Sequence, residues 1–173
     1  MADDIVTRVA AFLESLDTNY VVLLIGVPGS GKSTFRERLR KTMGPKAPVI
    51  VSSDDFVSAY AETNRMNYDQ AFKEYGERAV KIAKELSRTA AEERFSVVID
   101  QTNPTRKSRS GKLAAFRDFT TIGIYFPIDM KVARERITLR GPKGASVKAL
   151  DNIGKMFEAP TAGEFDHFFT NGS

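Results

Sequence analysis

The sequence predicts an α/β fold of three layers, with a mostly parallel central sheet sandwiched between helices. Three observations carry this expectation. Short apolar runs alternate with longer amphipathic stretches along the 173 residues, the pattern of repeated strand–helix units. Residues 20–25 (YVVLLI) and 95–99 (FSVVI) are almost continuously apolar, as in parallel strands covered on both faces. No internal repeat or low-complexity linker breaks the pattern, and the length suits one domain with its own core, so residues 1–173 are expected to form a single domain.

The elements follow in order. Ile5, Val9, Phe12, Leu13 and Leu16 share one helical face, so the chain should open with a helix. The strand at 20–25 leads into a glycine-rich turn and a helix over about 32–42, ended by Gly44-Pro45. A short strand at 49–51 is followed by Asp54 and Asp55, one of which could cap a helix starting near Phe56. Asn67 and Gln70 form a capping box for a helix over 67–91. Its stripe of Tyr68, Phe72, Tyr75, Ala79, Ile82 and Leu86 is expected to face the core. The strand at 95–99 ends at Asp100, and Asn103-Pro104 reads as the cap and first residue of a helix reaching about 118. A strand at 121–126, a helix at 130–139, a glycine turn at 141–144 and a helix at 147–157 complete the regular part. Beyond Pro160 no periodicity is evident, although Phe165, Phe168 and Phe169 should dock on the body.

Composition narrows the classes. The chain has no cysteine, so disulfides and thiolate metal sites are excluded and a reducing compartment fits. The acidic start, Met1-Ala2-Asp3-Asp4-Ile5, is not a secretory signal, and no apolar run approaches the ~20 residues of a membrane span. A cytoplasmic protein without a membrane partner is expected. The net charge of +4 and pI near 9.3 suit a polyanionic partner, whether a nucleotide or a nucleic acid.

Gly26-Val27-Pro28-Gly29-Ser30-Gly31-Lys32-Ser33 is a complete GxxxxGK[ST] pattern, or P-loop, placed after a buried strand and before a helix. Glycines let the backbone curl so that successive N–H groups point at phosphate oxygens. The helix N-terminus adds its positive dipole end. Lys32 is expected to reach the β- and γ-phosphates of ATP, Ser33 to offer its hydroxyl to Mg²⁺, and Thr34 to bond the α-phosphate. The fold class thereby sharpens to a P-loop NTPase or kinase sandwich.

Acidic and basic groups should gather at the same sheet edge, because ligands of open parallel sheets bind beyond the strands' carboxyl ends. Asp54 is the candidate to orient an acceptor hydroxyl and take its proton, with Asp55 assisting at the metal's water or the substrate. Asp100, at a strand end, is the second metal candidate. Gln101, Thr102 and Asn103 could bond the acceptor. Arg136 and Arg140, four apart on one helix face with Arg134 nearby, precede a glycine turn and read as a lid over about 136–147 that closes on the triphosphate. Arg106, Lys107, Arg109, Lys112 and Arg117 form a second basic set, either an acceptor-binding face or a solvated one.

These marks together resemble the kinase domain of phage and animal polynucleotide 5′-hydroxyl kinases. The resemblance rests on the loop 26–33, Asp54-Asp55, the turn Asp100-Gln101-Thr102-Asn103-Pro104, and Arg136 with Arg140 before the glycine turn. It implies an ATP-dependent, Mg²⁺-assisted transfer to a hydroxyl on nucleic acid, DNA before RNA, with Asp54 as general base and Arg140 acting on the transition state. The phage enzyme carries an arginine three residues beyond its catalytic aspartate to grip the acceptor's phosphate; here that position is Val57. Related small phage kinases phosphorylate hydroxymethyl groups on uracil in DNA, and the missing arginine would suit them. A small-metabolite kinase, acting on a sugar or nucleoside, and a non-kinase NTP-binding module are the alternatives.

Overall fold

The structure, a computed structural model, describes residues 4–141 and 144–172. Strands β1 (Tyr20–Ile25), β2 (Val49–Val51), β3 (Val97–Asp100), β4 (Thr120–Tyr125) and β5 (His167–Thr170) form one sheet in the order β2-β3-β1-β4-β5. Every pairing is parallel. The helices are α1 (Ile5–Glu14), α2 (Lys32–Met43), α3 (Ser53–Asn64), α4 (Tyr68–Glu92), α5 (Arg106–Leu113), α6 (Met130–Arg140) and α7 (Val147–Met156).

All six residues of central β1 are buried, and their alternation builds the three layers. Val22 and Leu24 pack with Val9 and Leu13 of α1 and Phe35 and Leu39 of α2. Val21, Leu23 and Ile25 pack on the other face with Ala83 and Ala90 of α4 and with Phe116, Phe119 and Phe165. Each such aliphatic side chain contributes about 1.5–3 kcal/mol on burial. Since β1 lies between β3 and β4, the connections diverge at its carboxyl end, where a crevice opens.

Several expectations are corrected. The third strand begins at Val97, and Phe95 is 56% exposed outside it. The buried face of α4 is made of small residues, Ala71, Gly76, Ala79, Ala83 and Ala90, together with Tyr68, whereas Phe72 and Leu86 are exposed. Alanines let the helix lie close to its neighbours, so shape outweighs residue hydrophobicity here. Helix α5 stops at Leu113, and Phe116 and Phe119 reach the core from the following turn. Its N-cap is Thr105, whose side chain accepts from Ser108 N, in place of Asn103.

The segment after Pro160 contains β5, which periodicity did not reveal. A buried ion pair pins its approach: Arg109 Nε lies 2.6 Å and Nη2 2.9 Å from the two Glu164 carboxylate oxygens. Arg109 Nη1 also donates to the carbonyls of Asn103 and Glu158. Arg109 is therefore not part of a solvated basic face. Burial raises the Glu164 pKa, but hydrogen bonds from Arg109 and the Thr161 backbone outweigh it and hold the carboxyl below its ordinary value.

Candidate active site

The glycine-rich loop wraps the carboxyl end of β1. Gly29 and Gly31 have φ of +83° and +100°, a region where other residues are strained. Lys32 opens α2 and is buried; its Nζ donates to Gly26 O at 2.7 Å and Val27 O at 3.0 Å. Burial pushes the ammonium down to about 8, opposed by Asp100 and Asp54 and reinforced by Arg140. Ser30 Oγ is buried and has no partner among the described residues, which fits a loop shaped for an external acceptor atom. The loop faces a cavity of about 660 Å³ that is also lined by Thr34, Asp54, Asp55, Thr102, Arg136 and Arg140, within the size range of small-molecule sites.

The acidic residues separate into distinct settings. Ser52 is the N-cap of α3 and its side chain accepts from Asp55 N, so neither aspartate caps the helix. Asp54 is exposed in the first turn, with Oδ1 accepting from Tyr68 Oη at 3.0 Å. Asp55 Oδ2 receives Arg36 Nη1 at 2.8 Å. Asp100 is 5% exposed; its Oδ2 accepts from Ser33 Oγ at 3.3 Å and lies 3.1 Å from Arg36 Nη1. Burial pushes the Asp100 carboxyl up, while Lys32 and Arg36 pull it back.

Arg36 was not anticipated from the sequence. Burial lowers its pKa, but Asp100 and Asp55 more than offset this and raise it. It stands one helical turn after Lys32 and Ser33, so its place on the site-facing side of α2 was the available signal. Ser33 and Asp100 present a hydroxyl and a carboxylate side by side, a donor set that fits Mg²⁺ shared with phosphate oxygens. Among the described residues no cluster of three or more His, Cys, Asp or Glu side chains would hold a metal by itself.

The turn after β3 is tied to the loop. Thr102 O accepts from Gly26 N at 3.3 Å, and Gln101 Nε2 donates to Ser53 Oγ at 3.1 Å. Asn103, expected to face an acceptor, is fully buried with φ +51°. Its Nδ2 donates to Leu24 O at 2.7 Å and to Gln101 O, and its Oδ1 accepts from Lys112 Nζ. Asn103 thus shapes the turn from inside. Lys112 is half-buried, and burial pushes its ammonium down to about 8 against the opposing pull of Asp54.

Helix α6 sits directly on the loop. A Cβ at Gly29 would stand 3.0 Å from Ala133 O. Arg136 Nη1 donates to Gly29 O at 3.1 Å, and Arg140 lies against Gly144 with Nη2 3.5 Å from Ala145 O. Arg134 instead pairs with Asp151 on α7. Of the expected lid turn, Pro142 and Lys143 lie outside the described residues. Val57 is 1% exposed and packs with Ala61 and Tyr68, so it faces the protein interior. Among the described residues no helix is long and apolar enough to cross a membrane.

Comparison with known proteins bears on the family and the fold. Residues 21–160 match the AAA domain family. The chain is 24% identical over 143 residues to the L-seryl-tRNA(Sec) kinase of Methanococcus maripaludis, covering 81% of this chain and 53% of the relative, so it spans about half of that protein's length. A candidate kinase from Chloroflexus aurantiacus shares the fold with TM-score 0.67 and 18% identity, covering 90% of this chain and 86% of that one. A gluconokinase from Sinorhizobium meliloti superposes with TM-score 0.53 and 15% identity, over 89% of this chain and 83% of that one. The resemblance to polynucleotide kinases thereby broadens to a wider group: the chain belongs to the AAA domain family, as a P-loop ATP-binding domain of the kinase type.

Proposed function

We propose that the protein transfers the γ-phosphate of ATP to an alcohol, with Asp54 as general base. One observation carries this reading: Asp54 opens on the same cavity as Lys32, Arg136 and Arg140, and its helix does not need it as a cap. In the step, the acceptor oxygen bonds to the γ-phosphorus while the bond from that phosphorus to the β–γ bridging oxygen breaks. The hydroxyl proton passes to Asp54 and ADP leaves. Lys32, Arg136 and Arg140 balance charge on the phosphoryl oxygens, and Ser30 Oγ offers a further donor. Ser33 and Asp100 would hold Mg²⁺, which would supply neutralisation of phosphate charge when bound.

Two acceptor classes follow. A small hydroxylated metabolite is favoured by the likeness to a gluconokinase and by the inward-facing Val57, which leaves no arginine at the expected grip. A hydroxyl carried on nucleic acid, either a 5′-end or a base hydroxymethyl group, is favoured by the +4 charge and by the relative named as a seryl-tRNA kinase. Label transfer from γ-labelled ATP to sugars, sugar acids, nucleosides, 5′-hydroxyl DNA and RNA, and hydroxymethyluracil DNA tests both. Labelling of one class by the native chain, lost in Asp54→Asn with ATP still bound, is expected. An Asp54→Asn protein that still transfers label would overturn the assignment.

A further inference from the structure

One carboxylate oxygen in the phosphate cavity serves two partners. Asp100 Oδ2 accepts from Ser33 Oγ at 3.3 Å and lies 3.1 Å from Arg36 Nη1. Ser33 and Asp100 are the pair suited to Mg²⁺, so the guanidinium and a divalent cation would claim the same atom. The partners of Arg36 differ in depth. Asp100 is buried, whereas Asp55, 2.8 Å from Nη1, and Glu37, 3.1 Å from Nη2, are about half exposed. Arg36 Nε is buried and has no partner among the described residues. A buried N–H without a partner is costly, so charge holds this guanidinium on Asp100 more than a complete set of hydrogen bonds does. Turning outward would keep Asp55 and Glu37 as partners, so releasing Asp100 does not strand the cation.

We propose that Arg36 is a positioning residue that occupies the Asp100 carboxylate until a divalent cation arrives together with a nucleoside triphosphate, and then turns to Asp55 and Glu37. This rests on reading Ser33 and Asp100 as the pair that would hold Mg²⁺. The selectivity is electrostatic. A bare dication at Asp100 would be repelled by Arg36 and Lys32, whose charges already act on that carboxylate. A metal–triphosphate complex carries net negative charge, and the same two cations attract it. Arg36 therefore admits the cation as part of the nucleotide complex and disfavours it alone, which keeps Asp100 free of metal when no nucleotide is present.

The cation alone and the cation with nucleotide are read separately. Mn²⁺ without nucleotide is titrated by the electron paramagnetic resonance signal of the free ion. The complex is read by the fluorescence of a mant-labelled, non-hydrolysable ATP analogue at saturating Mn²⁺. Arg36→Met removes the charge. Arg36→Gln also removes it but keeps an amide donor for the carboxylates, and is the variant to read if urea titration shows Arg36→Met to be unfolded. Each should bind Mn²⁺ alone about tenfold or more tightly than the native chain, and the metal–analogue complex within about threefold of native. Arg38→Met, on the same helix with its partner Asp4, should change neither. An unchanged affinity for Mn²⁺ alone overturns the proposal. So does an equal gain for both ligands, or an equal gain in Arg38→Met, since either makes Arg36 a background charge. The native chain gives a test that needs no variant: millimolar Mg²⁺ alone should leave its urea midpoint unmoved, and Mg²⁺ with the analogue should raise it. A native chain stabilised by Mg²⁺ alone overturns the proposal. Label transfer decides the kinase reading separately. Transfer by a chain whose metal binding ignores Arg36 keeps the kinase reading without this role. The expected metal binding with no transfer to any acceptor keeps the role and removes the kinase reading.

Discussion

Tyr68 Oη donates to Asp54 Oδ1 at 3.0 Å, joining the first turn of α4 to the first turn of α3. Burial, then the Asp54 charge, raises the Tyr68 pKa, so the phenol keeps its proton through the working pH range. The contact fixes where the carboxylate points. Tyr68→Phe should therefore lower kcat about tenfold, in line with one hydrogen bond to a charged group. The KM for ATP should change little, and steady-state kinetics on the identified acceptor checks both. An unchanged kcat would mean that Asp54 does not depend on this orientation.

Arg36 joins Asp55 and Asp100 with its own side chain only 11% exposed. Removing one partner leaves a buried carboxylate without its cation. Arg36→Met should destabilise the fold by about 3 kcal/mol, measured by urea unfolding. Asp55→Asn should be milder, because that carboxylate is 56% exposed.

The three arginines of α6 should behave unequally. Arg136→Ala and Arg140→Ala should each lower kcat by about 10²–10³-fold, since both line the phosphate cavity. Arg134→Ala should stay within about 1 kcal/mol in stability and near native in rate, because it forms an exposed pair with Asp151. Equal losses in all three would indicate a general charge effect instead of placement.

The Arg109–Glu164 pair gives stability a defined pH dependence. Its carboxyl is held below the ordinary value in the folded chain. Its contribution is therefore complete above about pH 4.5, the unfolded range, and lost as pH falls through the folded value. Arg109→Met should cost about 3–5 kcal/mol at neutral pH because it strands Glu164. Glu164→Gln should flatten the loss of stability as pH falls below about 4.5, read by denaturant titration.

What could be read in advance depended on how local the cause was. The loop 26–33 was legible because its geometry is set by its own glycines and the helix that follows, and the observed positive φ at Gly29 and Gly31 fits that reading. The capping box of Asn67 and Gln70 is equally local and is present. Arg36 was not legible because its partners come from α3 and β3. The buried face of α4 was misjudged because periodicity marks a face without weighing size, and alanines won the close approach from Phe72 and Leu86. Strand β5 has only four residues and owes its place to Tyr125 and Ile124 beside it and to the Arg109 clamp before it.

Ser52 makes one experiment unusually direct. Because this serine caps α3, the neighbouring carboxylate carries no duty in holding the helix together. The Asp54→Asn chain should remain whole while its chemistry is silenced. It can then serve as bait: incubated with a mixture of candidate acceptors and nucleotide, it should retain its own acceptor unconverted, ready to be eluted and identified by mass spectrometry.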